Sequence, residues 1–215
     1  MTGPVALVGG GPGDPGLLTL RAEALLAAAE IVVADRPLLP AAELRAPRAQ
    51  LVTVEEGDDA GAELLAAAAA ATGPVLRLYR GDPWLHPAHQ REASVLRAAG
   101  VASEAVPGVA TEVAVPGLAG VPLHARPVAV TATFARPETA PSSADPAHTL
   151  VVTASDVRAA AARLVPTGSA AVLSGQGQVR RGPLATVAQW APAGPGLVVC
   201  GAVAALDTTG GGTAS

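Results

Sequence analysis

The residues best placed to do chemistry sit in short glycine-rich runs that follow hydrophobic strands. Val5-Ala6-Leu7-Val8 leads into Gly9-Gly10-Gly11-Pro12-Gly13-Asp14-Pro15-Gly16, and Val75-Leu76-Arg77-Leu78-Tyr79 leads into Arg80-Gly81-Asp82-Pro83-Trp84. Val106-Pro107-Gly108-Val109-Ala110-Thr111 is a third run of this kind. Backbone stripped of side chains at a strand end lets a ligand approach closely. Glycine permits positive-φ turns, and free N–H groups at the start of a following helix hold an electron-rich group. Gly11, Gly13 and Gly16 fit G-x-G-x-x-G, and Asp35 ends the next strand about twenty residues on, where a dinucleotide's ribose would be bound. Against that reading, Pro12 and Pro15 remove backbone donors from the segment that would wrap a pyrophosphate. Taken singly, Gly81 and Gly108 also fit as strand terminators and Asp82 as a helix N-cap.

The elements that must position these turns alternate along the chain. Strand-like runs at Val5 to Val8, Ile31 to Ala34, Leu51 to Val54, Val75 to Tyr79 and Glu104 to Val106 are separated by helical stretches at Leu18 to Ala29, Ala60 to Ala71 and His89 to Ala99. That order predicts an α/β layer with a largely parallel sheet. The second half repeats it less cleanly, with strands near Val128 to Ala132, Leu150 to Thr153, Ala170 to Leu173 and Leu197 to Cys200. Helices there fall near Thr111 to Ala119, Asp156 to Leu164 and Leu184 to Trp190. The expected division is an N-terminal α/β domain over residues 1–108, a C-terminal α/β domain over 109–207, and a frayed tail over 208–215. Arg136 to His148 reads as a loop.

Composition narrows the function classes. Half of the 215 residues are hydrophobic and 15% are charged, enough for a substantial core. No stretch is long and apolar enough to span a bilayer, and the start lacks a signal-peptide pattern, so the expected location is the cytoplasm. A net charge of −4 and 2% aromatic residues argue against a nucleic-acid partner. Cys200 is the only cysteine and reads as a buried strand residue, which excludes an internal disulfide or a cysteine metal cage.

As an ordered set, the three turns resemble the tetrapyrrole (corrin/porphyrin) methylase family. Ile31-Val32-Val33-Ala34-Asp35-Arg36, Ala119-Gly120-Val121-Pro122-Leu123-His124-Ala125-Arg126 and the late Gly201 turn belong to the same resemblance. The likeness is closest to the uroporphyrinogen III C-methyltransferases, runs from Val5 to about Val203, and is strongest up to Arg126. It implies two α/β domains of the class III methyltransferase type, S-adenosylmethionine in the cleft between them, no metal, and a homodimer with Val113 to Leu123 at the interface. It also implies methyl transfer to a tetrapyrrole, uroporphyrinogen III to precorrin-2, on the route to sirohaem and cobalamin.

Residue by residue, the resemblance puts Pro12 beside the first turn, Arg80, Gly81, Asp82 and Leu85 in the second loop around the cofactor, and Ala110 and Thr111 on another side. Ala171 and Gly201 would come from the second domain. For the acceptor's many carboxylates it implies Arg36, Arg91 and Arg126, with Asp35 on pyrrole N–H groups and Glu92 as the second acid of the family's substrate loop. Relatives carry Gly-Asp-Pro-Phe-Val-Phe-Gly-Arg-Gly-Gly-Glu-Glu where this chain has Gly81-Asp82-Pro83-Trp84-Leu85-His86-Pro87-Ala88-His89-Gln90-Arg91-Glu92. Ala88 thus replaces an arginine and Arg91 an acid, while His86 or His89 could titrate near neutral pH. A Tyr-Met-Gly of relatives is Thr153-Ala154-Ser155 here, and their Thr-Gly-His segment is reduced to Thr131-Ala132-Thr133-Phe134-Ala135. These departures leave two alternatives open: another acceptor, such as a later precorrin or a non-tetrapyrrole, or a non-catalytic or dinucleotide-binding relative.

Overall fold

A computed structural model describes residues 4–123, 131–135, 148–154, 156–164, 169–174, 179–192, 194, 196–201 and 204. The first half runs β1 (Val5–Gly9), α1 (Leu20–Ala28), β2 (Ile31–Asp35), α2 (Leu39–Arg45), β3 (Gln50–Val54), α3 (Gly61–Ala70), β4 (Val75–Tyr79), α4 (His89–Ala98) and β5 (Ser103–Val106). The second runs α5 (Thr111–Leu118), β6 (Thr131–Ala135), β7 (His148–Ala154), α6 (Val157–Arg163), β8 (Ser169–Ser174), β9 (Val179–Pro183), α7 (Val187–Trp190) and β10 (Gly196–Cys200). By its packing the chain divides into a unit Met1–Thr111 and a unit Glu112–Ser215.

The first unit holds a five-stranded parallel sheet in the order β3-β2-β4-β1-β5. Every residue of β1, β2 and β4 is buried, as expected of strands covered by helices on both faces. The edge strand β3 is more open. Alternation splits the core into two layers. Ala6, Val8, Val32, Ala34, Leu76 and Leu78 pack with Ala22 and Leu26 of α1 and Ala42 of α2. Val5, Leu7, Ile31, Val33, Val75 and Tyr79 pack with Leu64 of α3 and Leu96 of α4 on the other face. Asp35 and Arg77 share the second face by the same period of two.

The second unit departs from a simple repeat of the first. Its sheet has the order β6-β7-β10-β8-β9, with only the β6–β7 pair parallel among the described strands. A β8–β9 hairpin produces this, and the exposed Arg180 and Arg181 of β9 give no apolar alternation to signal a strand. The strand expected over Val128 to Ala132 is observed at Thr131–Ala135. Residues 124–130, and with them Arg126, lie outside the described residues, as do 136–147 of the expected loop and the 208–215 tail. Trp190 packs against the core of α6, α7, β7 and β10, with its indole over Gly182 and its Nε1 donating to Pro183 O at 3.0 Å. Cys200 is buried, which raises its thiol pKa to about 12.

Leu26 is fully buried under β1 and β2. Leu26→Ala is expected to destabilise the protein by about 3 kcal/mol, through lost transfer energy and the cavity it leaves. Urea unfolding should show a lower midpoint with an unchanged m-value.

Candidate functional site

Because β4, β1 and β5 are neighbours, the glycine runs that follow them meet at one end of the sheet, the carboxyl end where ligands of open α/β sheets sit. Gly11 and Gly81 form an isolated antiparallel bridge, Gly81 N donating to Gly11 O at 2.8 Å and Gly11 N to Gly81 O at 3.2 Å. A Cβ on Gly108 would lie 2.5 Å from Gly81 O and 2.7 Å from Gly9 Cα, so no side chain fits at this crossing. Gly81 also has φ +76°, a conformation that L side chains rarely adopt. Asp82 locks the turns together: its Oδ2 accepts from Gly108 N and its Oδ1 from Trp84 N, both at 2.9 Å. Thr111, at the start of α5, closes the ledge against Gly81. Its Oγ1 is buried and has no hydrogen-bond partner among the described residues.

The first glycine run does not open a helix directly. Asp14 caps a separate 3-10 turn, Pro15–Leu17, by accepting from Gly16 N at 2.8 Å, and α1 begins only at Leu20 behind the Thr19 cap. The strand, glycine loop and helix of a dinucleotide fingerprint are contiguous. Here they are not, which removes the structural support for that alternative.

Beneath the ledge lies a buried ionic network that sequence reasoning missed. Arg77 is 0% exposed, as are Asp35 and Glu92. Its Nη2 donates to Asp35 Oδ1 at 2.7 Å, its Nε to Glu92 Oε1 at 3.2 Å, and its Nη1 to Leu78 O at 3.0 Å. The guanidinium also stands over the Tyr79 ring, 4.4 Å from its centre. Each carboxylate then reaches further. Asp35 Oδ2 accepts from Arg80 N at 2.8 Å and lies 3.0 Å from His86 Nε2, which ties both ends of the Arg80-to-His86 loop to β2. Glu92 accepts from Ala60 N at 2.8 Å and from the Tyr79 hydroxyl. The signal for Arg77 was present: an arginine inside Val75-Leu76-Arg77-Leu78-Tyr79, a run otherwise fit for burial, requires buried counter-ions.

Burial opposes the charge on Arg77, but Asp35 and Glu92 outweigh it and raise its pKa above the ordinary value. Burial likewise opposes ionisation of Asp35, and the His86 contact, Arg77 and the Arg80 N–H outweigh it and hold the carboxyl below 3.8. Tyr79 is pushed up by burial and by the adjoining Glu92 charge. His89, which stacks edge-on with the exposed Trp84, is pushed down mainly by burial. The resemblance gave Asp35 pyrrole N–H groups and Glu92 the place of the second acid of the substrate loop; in the structure both carboxylates face the protein interior. Neither is exposed, and both are engaged by protein donors as counter-ions that position loops.

The other expected residues separate into three groups. Pro12, Gly81, Asp82, Ala110 and Thr111 gather at the ledge, with Leu85 half exposed beside them. Asp82 spends its carboxylate on backbone N–H groups. Arg36 and Arg91 lie on the surface and Arg80 nearer the interior, each paired with an acid of the Glu55-to-Asp59 loop. Ala171 and Gly201 belong to the second unit. Ala171 pairs with Val199 and Arg181 across the sheet, and Gly201, with φ +119°, ends β10. Among the described residues no group of three or more His, Cys, Asp or Glu could hold a metal.

Fold and site together define an α/β protein with a side-chain-free backbone ledge at the carboxyl ends of β1, β4 and β5. The chain matches the model of the Tetrapyrrole (Corrin/Porphyrin) Methylases over residues 4–178 and belongs to that family. It is 39% identical over 142 residues to the S-adenosyl-L-methionine-dependent uroporphyrinogen III methyltransferase of Methanosarcina barkeri, a match covering 61% of this chain. The chain spans only 55% of that relative's length. Uroporphyrin-III-C-methyltransferase from Thermus thermophilus superposes with a TM-score of 0.77 at 32% identity, over 93% of this chain and 92% of that one. The Thermus enzyme complexed with S-adenosylhomocysteine superposes with a TM-score of 0.71 at 28% identity, over 94% and 93%.

Two outcomes follow from the site. Asp35→Asn should cost about 3 kcal/mol at pH 7, because Arg77 loses a buried counter-charge. Since Asp35 titrates below 3.8 when folded, its contribution is complete above that pH. It is lost as pH falls from 3.8 toward the lowered folded value, so the gap between parent and variant should narrow by pH 3 in urea melts. Gly108→Ala forces a Cβ into Gly81 O and Gly9, and should both lower the thermal midpoint and abolish ligand binding at the ledge.

Proposed function

We propose that the chain is an S-adenosylmethionine-dependent C-methyltransferase whose acceptor is a tetrapyrrole of the uroporphyrinogen III type. The observation that carries this reading is the interlock of Gly9, Gly81 and Gly108, which leaves bare backbone and the unpartnered Thr111 Oγ1 at one ledge. A large, polar, folded cofactor fits such a surface because main-chain groups can contact it at close range. Family membership and the names of the relatives support the same reading.

When bound, the cofactor supplies an electrophilic sulfonium methyl. The chain's own task is then to align that methyl with a nucleophilic carbon and to exclude water. Pro12, Gly81, Leu85, Ala110 and Thr111 would hold the cofactor in the first unit, with Ala171 and Gly201 contributing from the second. Asp82 acts by fixing the Gly81 and Gly108 turns, and Arg80 by its backbone, anchored on Asp35. Arg36, Arg91 and Arg126 would meet acceptor carboxylates as planar forks. The reading includes domains meeting near Gly108, a cytoplasmic homodimer, and the exposed Val113 and Leu118 of α5 at its interface.

Calorimetric titration with S-adenosylhomocysteine should give micromolar binding, while NAD run in parallel gives none. Thr111→Val, which removes the hydroxyl and keeps the shape, should weaken that binding about threefold to tenfold, the range for one net hydrogen bond. Silence toward S-adenosylhomocysteine would overturn the reading.

A further inference from the structure

Three arginines from three different elements converge on one five-residue loop. Arg36 follows β2, Arg80 follows β4 and Arg91 lies on α4. Their partners are Glu55, Glu56 and Asp59, all in the turn between β3 and α3. Both Arg36 Nε and Nη2 reach Glu55 Oε1 at 2.5 Å. Arg80 Nη1 donates to Glu56 Oε2 at 3.0 Å, and Arg91 Nε to Asp59 Oδ2 at 3.3 Å, with Arg91 Nη2 reaching Gly57 O at 3.5 Å. The loop is pre-shaped, since Asp58 N donates to Glu55 O at 3.1 Å, Gly57 has φ +93°, and Asp59 Oδ1 accepts from Gly61 N at 2.9 Å.

The charges decide what this arrangement does. Glu55, Glu56, Asp58 and Asp59 bring four negative charges against the three arginines. The rim that would receive carboxylates is thus already supplied with them, from inside the chain. A tethered competitor acts at a high effective concentration, so an incoming carboxylate must displace it rather than find a vacant guanidinium. The pairs of Arg36 and Arg91 are solvent-exposed, and exposed pairs are individually weak, so displacement is feasible. Arg80 is the more enclosed of the three, and its Nε is buried without a partner, a donor that the Glu56 pairing leaves unused.

We propose that the Glu55-to-Asp59 loop is an internal carboxylate competitor that sets acceptor specificity: it occupies Arg36, Arg80 and Arg91, and discriminates against acceptors in proportion to the carboxylates they must seat there. The proposal rests on the tetrapyrrole reading for its acceptor class and deepens it, by naming acids of this chain that oppose a polyanionic ring. Specificity here comes from a built-in opposing element as much as from attraction.

The test is fluorescence titration of the full chain with two unreactive oxidised rings: uroporphyrin III, an octacarboxylate, and mesoporphyrin IX, a dicarboxylate. Removing three competing pairs in E55Q/E56Q/D59N should tighten uroporphyrin III binding roughly tenfold, given the modest strength of such pairs. Mesoporphyrin IX binding should change less than twofold. Asn at 59 keeps a side-chain oxygen to accept from Gly61 N, and Glu55→Gln alone, which disturbs only the Arg36 pair, should give a smaller gain in the same direction. No tightening, equal tightening of both rings, or no porphyrin binding by either variant would overturn the proposal. S-adenosylhomocysteine affinity is measured in the same samples. Its absence indicts the cofactor reading, whereas normal affinity with no porphyrin effect indicts the loop alone.

Discussion

A single buried positive charge organises the first unit. A guanidinium taken out of water is tolerated only when opposite charges and hydrogen-bond acceptors surround it, and breaking such a set by removing one member costs about 3–5 kcal/mol. Arg77 meets that demand from β2 through Asp35 and from α4 through Glu92. Each acid passes the constraint on, Asp35 to the start and end of the second glycine loop and Glu92 to the N-terminus of α3. The ledge holds its shape because the strand beneath it carries a charge that its neighbours must satisfy. His86 belongs to this set as well, its Nε2 lying 3.0 Å from Asp35 Oδ2.

The fold of the first unit was legible because its strands are short apolar runs and its helices are rich in alanine and leucine, two patterns that do not mimic one another. What escaped reading had physical reasons. The α2 helix opens Leu39-Pro40, which looks like a turn, although proline is well tolerated in a helix's first turn. The mixed second sheet follows from a hairpin whose β9 strand has polar, exposed side chains, so periodicity gives no warning. At the site, the glycine runs were recognisable as turns that follow strands, whereas Thr111 came only with the family resemblance. The inward roles of Asp35, Glu92 and Asp82 were not, because a sequence names a carboxylate without saying which way it faces. The acidic turn after β3 went unremarked for a related reason: a charge run ordinarily reads as solvated surface, and only the fold brings three distant arginines to it.

The division of labour between backbone and side chains also bears on how such a scaffold changes. The ledge is built from main-chain atoms and defended by steric exclusion, so substitutions there are punished whatever their chemistry. The rim is built from exposed charged side chains, where exchanges cost little stability. A family can therefore keep one cofactor surface and alter the molecules brought to it. Arg91, paired with Asp59 at the surface, lies on that rim, whereas Ala88 three residues earlier is fully buried.

Each unit happens to carry one of the chain's two tryptophans. Trp84 is exposed beside the ledge with its ring against His89, while Trp190 is sandwiched between Gly182 and the second core. The more exposed Trp84 should therefore emit at longer wavelength than the partly buried Trp190. The protein thus contains its own pair of optical probes, one tuned to the ligand face and one to the integrity of the mixed sheet, with no label required.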